Sequence, residues 1–399
     1  MTQDTSIPAG RTVFAVTWIP VLAYGAVLTM PAFLAVLGKH YAMSSSELGT
    51  LASAEWFSCI LGTYVANNRT IKQLTNWVLI ACLLAIGVNL LGLLLAGRVP
   101  LLYFHPISTF GAGIAYGYAL KVFDASRQQQ RNYGIFLAVV NLSELAIFQL
   151  VNYLTAEVAR GAVFVVYAVL AAAAVGVTWA VRRPLQHVED GQPAQRLSTR
   201  RPRSIVLASL VALGVSYVAF GLIWPFVQLM GVARGLSALD VTNGSSAYSI
   251  TGIFGALSAA ALPLRINRSV VFSGALFILL ASIYLLYLAT GYIWFITGCA
   301  IFGYYWTFYC TAHVSVIAQA DNTGRAIVFC GMAPSIGAIV GSFWGGRLVK
   351  GTDYLPTGEV GALVAVVGVG LTVYTLLRKM TPQTPVIRTS APSREASQG

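Results

Sequence analysis

Two glutamates, Glu55 and Glu144, and two histidines, His105 and His313, stand inside apolar stretches long enough to cross a bilayer. An ionisable group at membrane depth is expensive, and it persists where it faces protein, a water-filled passage or a partner. Such groups can carry protons. Removal from water favours the neutral form of a carboxylic acid, and an imidazole gains and loses its proton close to neutral pH. The spacing of the neighbouring residues suggests a second chemistry. Asn141, Glu144, Phe148 and Asn152 recur at helical intervals, as do Tyr217, Gly221, Trp224 and Gln228, and again Phe302, Trp306, Tyr309 and His313. His105, Thr109 and Tyr116 can share another face.

If these faces converge, they enclose a cavity with aromatic walls and a few polar anchors, suited to an amphipathic organic molecule. Aromatic faces also attract cations. The candidate proton-coupling or substrate groups are therefore Glu55, Glu144, His105 and His313. The candidate substrate contacts are Tyr24, Asn141, Tyr217, Trp224, Tyr248, Trp306 and Tyr309. Each has a plainer reading, in which the acids and histidines pair within a helix bundle and the aromatics fill helix interfaces.

The elements that must hold these residues follow from composition. The chain has 399 residues, 57% hydrophobic and only 10% charged, where a soluble domain carries about 25% charged residues. At about 20 apolar residues per crossing, the stretch from Thr12 to Leu377 accommodates twelve hydrophobic segments. The first is Val13 to Leu37, too long for a signal-peptide core and without a small-residue cleavage site. The second carries Glu55 between Ser44 and Gln73; then come Trp77 to Ala96, Pro100 to Ala119, Tyr133 to Thr155 and Ala162 to Val181. The second six are Ile205 to Met230, Val241 to Leu262, Val270 to Ala289, Tyr292 to Ala318, Ile327 to Leu348 and Val360 to Leu377. The expected fold is an all-α polytopic membrane protein, with twelve transmembrane helices in two pseudo-symmetric six-helix bundles. The bundles span residues 1–181 and 204–378, with a basic linker at 182–203 and a disordered tail at 379–399.

The net charge of +12 is a topology signal. Six of the 25 Lys and Arg residues, Lys39, Arg98, Arg160, Arg234, Arg347 and Lys350, fall in loops on one side, and the rest fall on the side of the two termini. The positive-inside rule then places both termini in the cytoplasm, in a plasma or inner membrane, with the basic excess touching anionic lipid rather than nucleic acid. The five cysteines lie within hydrophobic segments without metal-ligand spacing and read as reduced packing residues. No phosphate-binding G-x-x-x-x-G-K-[ST] loop appears, and no cofactor, metal or enzyme chemistry is expected.

Two patterns organise the segments. The third, sixth, ninth and twelfth contain no Asp, Glu, His, Lys or Arg, which puts every third helix against lipid and the other eight around a cavity. The halves also repeat at an offset of 193 residues: Glu47-Leu48 with Asp240-Val241, Ser53-Ala54 with Ser246-Ala247, Gly62 with Gly255. Phe110-Gly111 and Phe302-Gly303 match at an offset of 192. Internal repetition with a site between the repeats is the plan of many secondary transporters.

With the loop motifs added, nearly the whole chain resembles the major facilitator superfamily. Gly62 to Lys72, GTYVANNRTIK, is similar to the family's motif between segments 2 and 3, with Ala66 where an acid is usual and Arg69 where glycine is usual. Asp321-Asn322-Thr323-Gly324-Arg325 is similar to the D-x-x-G-R that often follows segment 10, and Asn132-Tyr133-Gly134 is its weaker counterpart. The resemblance implies gating roles for Arg69, Lys72, Asp321 and Arg325. Segment 5 lacks the Gly- and Pro-rich pattern of the family's drug/proton antiporters, and segment 4 lacks the buried arginine of many proton-coupled members. The expected function is secondary active transport of a small amphipathic or aromatic molecule by alternating access, coupled to protons and performed by a monomer. Efflux of lipophilic compounds and a non-transporting receptor of the same fold are the alternatives.

Overall fold

Both halves of the chain open their second long helix in the same way. Ser44 Oγ accepts the Glu47 amide at 3.3 Å while the Glu47 carboxylate accepts the Ser44 amide at 2.7 Å. Farther along, Ser237 and Asp240 build the same reciprocal cap at 3.1 and 3.0 Å. Each box satisfies amides that the first helical turn leaves without partners. The repeat legible at Glu47 and Asp240 is thus a repeat of local structure.

The structure, a computed structural model, describes residues 10–94, 98–126, 129–157, 161–185, 203–261, 267–320 and 326–380. Asp321, Arg325 and most of the expected linker and tail lie outside these residues. Among the described residues the chain forms fifteen α-helices and one 3-10 turn, which group into the twelve expected segments. Segment 1 is α1 (Gly10–Ala23), α2 (Gly25–Leu28) and α3 (Met30–Tyr41). Segments 2 to 6 are α4 (Ser45–Asn67), α5 (Ile71–Leu94), α6 (Arg98–Ala125), α7 (Gln129–Glu157) and α8 (Ala162–Leu185). Segment 7 is α9 (Arg203–Ile223), the turn Trp224–Phe226 and α10 (Val227–Ala233). Segments 8 to 12 are α11 (Ala238–Ala260), α12 (Arg268–Tyr287), α13 (Tyr292–Ala320), α14 (Ala326–Leu348) and α15 (Leu355–Met380). Helix α8 runs past the expected boundary at Val181 through Arg182, Arg183 and Pro184.

Six of these segments are long and apolar enough to cross a membrane on length and composition alone: α5, α7, α8, α9 with α10, α12 and α15. All four members of the every-third set are among them. Ile80, Val169, Phe277 and Leu363, one from each, are more than 60% exposed, so their apolar surface faces outward where lipid would lie.

Two breaks shape the centre. Segment 1 is interrupted around Tyr24 and Thr29, between Pro20 and Pro31, and segment 7 around Trp224-Pro225-Phe226. Proline lacks the amide that would continue the ladder, so each break falls where the ring removes a bond. Tyr24 and Tyr217 stand at the same 193-residue offset, so the repeat places a tyrosine at matching depth in each half.

Packing is symmetric. Within the first half α4 lies on α6, α5 on α6 and α8, and α1 on α7 and α8. The second half reproduces these pairs as α11 on α13, α12 on α13 and α15, and α9 on α14 and α15. Glycine permits the closest of them. A Cβ on Gly62 would stand 2.1 Å from Phe110 O of α6, and one on its repeat mate Gly255 would stand 2.3 Å from Tyr304 O of α13. The halves meet along two further pairs, α4 with α14 and α7 with α11, and where α3 meets α10 and the 3-10 turn.

Candidate functional site

Between the halves lies a cavity of about 150 Å³. Its walls are largely aromatic. Tyr24, Trp56, Tyr116, Tyr133 and Phe136 come from the first half, and Tyr217, Phe220, Tyr248 and Trp306 from the second. Asn141, Glu144, Thr307, Cys310, Cys330 and Ser335 add polar atoms.

The depth of the cavity follows from chain direction. It takes α7 at 133–144, α14 at 330–335, α13 at 306–310 and α6 at Tyr116, all from the middle of the bundle toward the end that carries the chain termini. The opposite end is packed. Ser53 Oγ donates to Ile339 O of α14 at 2.9 Å, and a Cβ on Gly49 would meet Ser342 O at 2.5 Å. Above the cavity on that side, the Trp224 ring stacks on Tyr248 with centroids 3.7 Å apart, and Phe148 meets Trp224 edge-on at 6.3 Å.

Glu144 is the acid of the cavity wall. Ser249 Oγ of α11 donates to its carboxylate at 3.3 Å, so the group touches both halves. One turn earlier Asn141, also on the wall, donates Nδ2 to Leu137 O at 2.7 Å and sets Oδ1 against the backbone of Gly252 in α11. One turn later Gln149 Nε2 donates to Ser246 Oγ at 2.8 Å. A single face of α7 therefore serves as cavity wall and as seam.

Glu55 is placed differently. Its Oε1 lies 2.6 Å from His105 Nδ1, and both side chains are fully buried within the first half. Phe33 lies 4.6 Å from the imidazole and Phe164 6.0 Å, ring to ring. Thr109 Oγ1 bonds Glu55 O at 3.1 Å and Pro106 O at 2.9 Å, which serves carbonyls around the proline in α6. The expected shared face of α6 therefore divides: His105 and Thr109 turn to α4, while Tyr116 reaches the cavity. Trp56, the residue after Glu55, lines the wall.

The second half shows the same division. Trp306 and Tyr217 line the cavity with ring centroids 5.1 Å apart. Tyr309 instead shares hydrogen bonds with Ser216 at 2.7 Å and Thr372 at 2.9 Å, and His313 Nε2 lies 2.9 Å from Ser209 O. Both residues lie behind the wall, so the expectation that the α13 stripe faces the cavity as a unit is corrected. Trp224 is one layer removed. Arg69 and Lys72 are exposed at the terminus-facing end; the Arg69 guanidinium lies over Trp77 at 5.2 Å, and Lys121 Nζ donates to its carbonyl.

Sequence reasoning missed Trp56, Tyr133, Phe136, Phe220, Thr307, Cys310, Cys330 and Ser335 on the wall. Tyr133 lies inside the Asn-Tyr-Gly motif already singled out, and Trp56 beside Glu55; the others carried no signal. None of the five cysteines forms a disulfide.

The two-half helical architecture around a central cavity agrees with the sequence comparison, in which residues 18–342 match the Major Facilitator Superfamily. The chain belongs to that superfamily. It is an integral membrane transporter of this kind. The nucleoside transporter NupG, also of this fold, superposes with a TM-score of 0.65 at 11% identity, over 94% of this chain and 99% of that one. A variant of NupG with an aspartate changed to alanine gives 0.69, again at 11% identity, over 92% and 99%. No curated protein matches the sequence significantly. At this identity the likeness is one of superfamily fold, and cargo has to be read from the cavity itself.

Proposed function

We propose that the protein is a secondary active transporter that moves a small amphipathic or aromatic organic molecule by alternating access, with protons as the coupling ion. The observation that carries this reading is Glu144, a carboxylate on the wall of an aromatic cavity and bonded across the seam to Ser249. A proton gained or lost there changes the charge of the cavity and the bond between halves in one event. The bodies that rock are residues 1–181 and 204–378, joined by the basic linker, with both termini in the cytoplasm. The far-end contacts of Ser53, Gly49 and Trp224 then form the closed gate of a state whose cavity lies toward the cytoplasmic side.

The four candidate groups divide their labour. Glu144 carries the coupling proton, while the Glu55–His105 pair fixes α4 to α6 so that Trp56 meets the cargo. His313 fixes α13 to α9 through Ser209 O. Arg69, Lys72, Asp321 and Arg325 act at the cytoplasmic surface as gate and topology residues. The cargo of the nucleoside transporter is not carried over.

The test is flux. In proteoliposomes an imposed pH gradient should drive net movement of a small aromatic compound, a protonophore should collapse it, and Glu144→Gln should abolish the response to the gradient. Identical flux with and without the gradient in the unaltered protein would remove proton coupling. Binding without flux across a sealed membrane would favour the receptor alternative. The direction of gradient-driven movement separates uptake from efflux.

A further inference from the structure

Charge, size and unmet hydrogen bonds in the cavity narrow its ligand further. Glu144 is the wall's carboxylate, and among the described residues the wall contains no Lys, Arg or His. A carboxylate held away from water needs a compensating positive group. Ser249 offers a neutral hydroxyl at 3.3 Å. The nine aromatic side chains around it present ring faces that attract cations. An anionic cargo would meet repulsion from the acid with no cation to offset it.

Size sets the second limit. The cavity measures about 150 Å³, and an engineered protein cavity of about 150 Å³ admits one benzene ring. The third limit is polar. Trp56 Nε1 from the first half and Trp306 Nε1 from the second are buried and find no hydrogen-bond partner among the described residues. Both indoles belong to the wall, and an indole N–H donates only, so it calls for an acceptor on the ligand.

We propose that the cavity takes a single-ring aromatic monocation bearing one hydrogen-bond acceptor. Its ammonium lies against Glu144, its ring lies between the aromatic walls, and its acceptor meets the indole N–H groups of Trp56 and Trp306. The word cargo rests on the transport reading; the ligand assignment does not, because it concerns occupancy of the cavity.

The test is equilibrium binding to the purified full-length chain, read by tryptophan fluorescence and calorimetry with three isosteric probes: tyramine, its neutral alcohol analogue tyrosol, and the anion 4-hydroxyphenylpropionate. Tyramine should bind roughly tenfold or more tightly than tyrosol, and the anion weakest of the three. Glu144→Gln should weaken tyramine by roughly ten- to a hundredfold, as loss of a charge-assisted hydrogen bond implies. Its melting temperature serves as the check on folding. Trp306→Phe keeps the ring and deletes the N–H, so it should weaken tyramine several-fold more than phenethylamine, which lacks the phenol oxygen. Equal affinity for tyramine and tyrosol, preference for the anion, indifference to Glu144→Gln, or no binding of any probe would each overturn the proposal. Glu144-dependent tyramine binding without flux would overturn the transport reading and leave the ligand assignment standing.

Discussion

Gly252→Ala should separate the two halves at the seam they share beside Glu144. An alanine Cβ there would stand 2.1 Å from Asn141 Oδ1 and 2.8 Å from its Cγ, whereas ordinary contact begins at 3.4 Å, so the amide must retreat by more than 1 Å. It has little freedom to do so. Asn141 is 1% exposed, and its Nδ2 is tied to Leu137 O at 2.7 Å. The strain therefore passes to the distance between α7 and α11. Overpacking of a close contact costs about 1–3 kcal/mol, and the displaced seam includes the bond from Ser249 to Glu144. The assay is a double-mutant cycle with Asn141→Ala, using denaturation in mixed micelles followed by tryptophan fluorescence. If the clash is the cause, the second substitution relieves it, and the double variant should be more stable than the sum of single effects predicts by about 1 kcal/mol or more. Additivity within about 0.5 kcal/mol would refute the geometric argument, as would a Gly252→Ala variant as stable as the parent.

Two further substitutions test other parts of the frame. His105→Ala leaves the fully buried Glu55 carboxylate without its imidazole and should destabilise by about 3–5 kcal/mol, the cost of breaking a buried pair; Glu55→Gln, which keeps an acceptor for the imidazole, should cost less in the same unfolding assay. Ser44→Ala and Ser237→Ala each delete a capping box and should each cost about 1 kcal/mol. A large difference between the two would contradict the structural equivalence of the halves.

Much of the architecture was legible because membrane crossing imposes long apolar runs and sheltered acids. The twelve segments, the lipid-facing third, sixth, ninth and twelfth, and the repeat at Glu47 and Asp240 all follow from solvation and capping. Helical spacing also put Asn141 and Glu144 on one face of α7, where the cavity does lie. What spacing cannot say is which neighbour a face meets. Glu55 and Trp56 are one residue and about 100° apart on their helix; His105 draws the first away from the cavity while the second lines it. Segment 7 illustrates a different limit. Its stripe from Tyr217 to Gln228 assumes an unbroken α-helix, but the 3-10 turn at Trp224–Phe226 changes the rotation per residue. Gly221 consequently packs on Ala338 of α14, and Trp224 stacks on Tyr248 behind the wall. For α13, the partners of Tyr309 and His313 come from α9 and α15, more than sixty residues away in sequence. No local pattern encodes them.

Cysteine chemistry offers a direct reading of which end of the cavity meets water. Cys310 and Cys330 line the wall, whereas Cys82 and Cys299 are buried in helix contacts away from it. A thiol reacts with a reagent only where the reagent can reach it. The far end is blocked by the Ser53–Ile339 bond, the Gly49 contact with α14 and the Trp224–Tyr248 stack. Labelling of single-cysteine variants by a small, membrane-impermeant methanethiosulfonate should therefore proceed from the terminus-facing side and fail from the other. Sidedness is set by preparing vesicles in the two orientations. A cargo that occupies the cavity should slow the reaction at both positions, and one that favours the opposite-facing state should open labelling from the far side. Equal rates from both sides without cargo would mean that the far-end packing does not seal, and the closed gate assigned to Gly49, Ser53 and Trp224 would have to be given up. Labelling of Cys299 at the rate of Cys310 would carry a different message, since Cys299 packs against Gly244 of α11: it would place water within the second bundle rather than between the two.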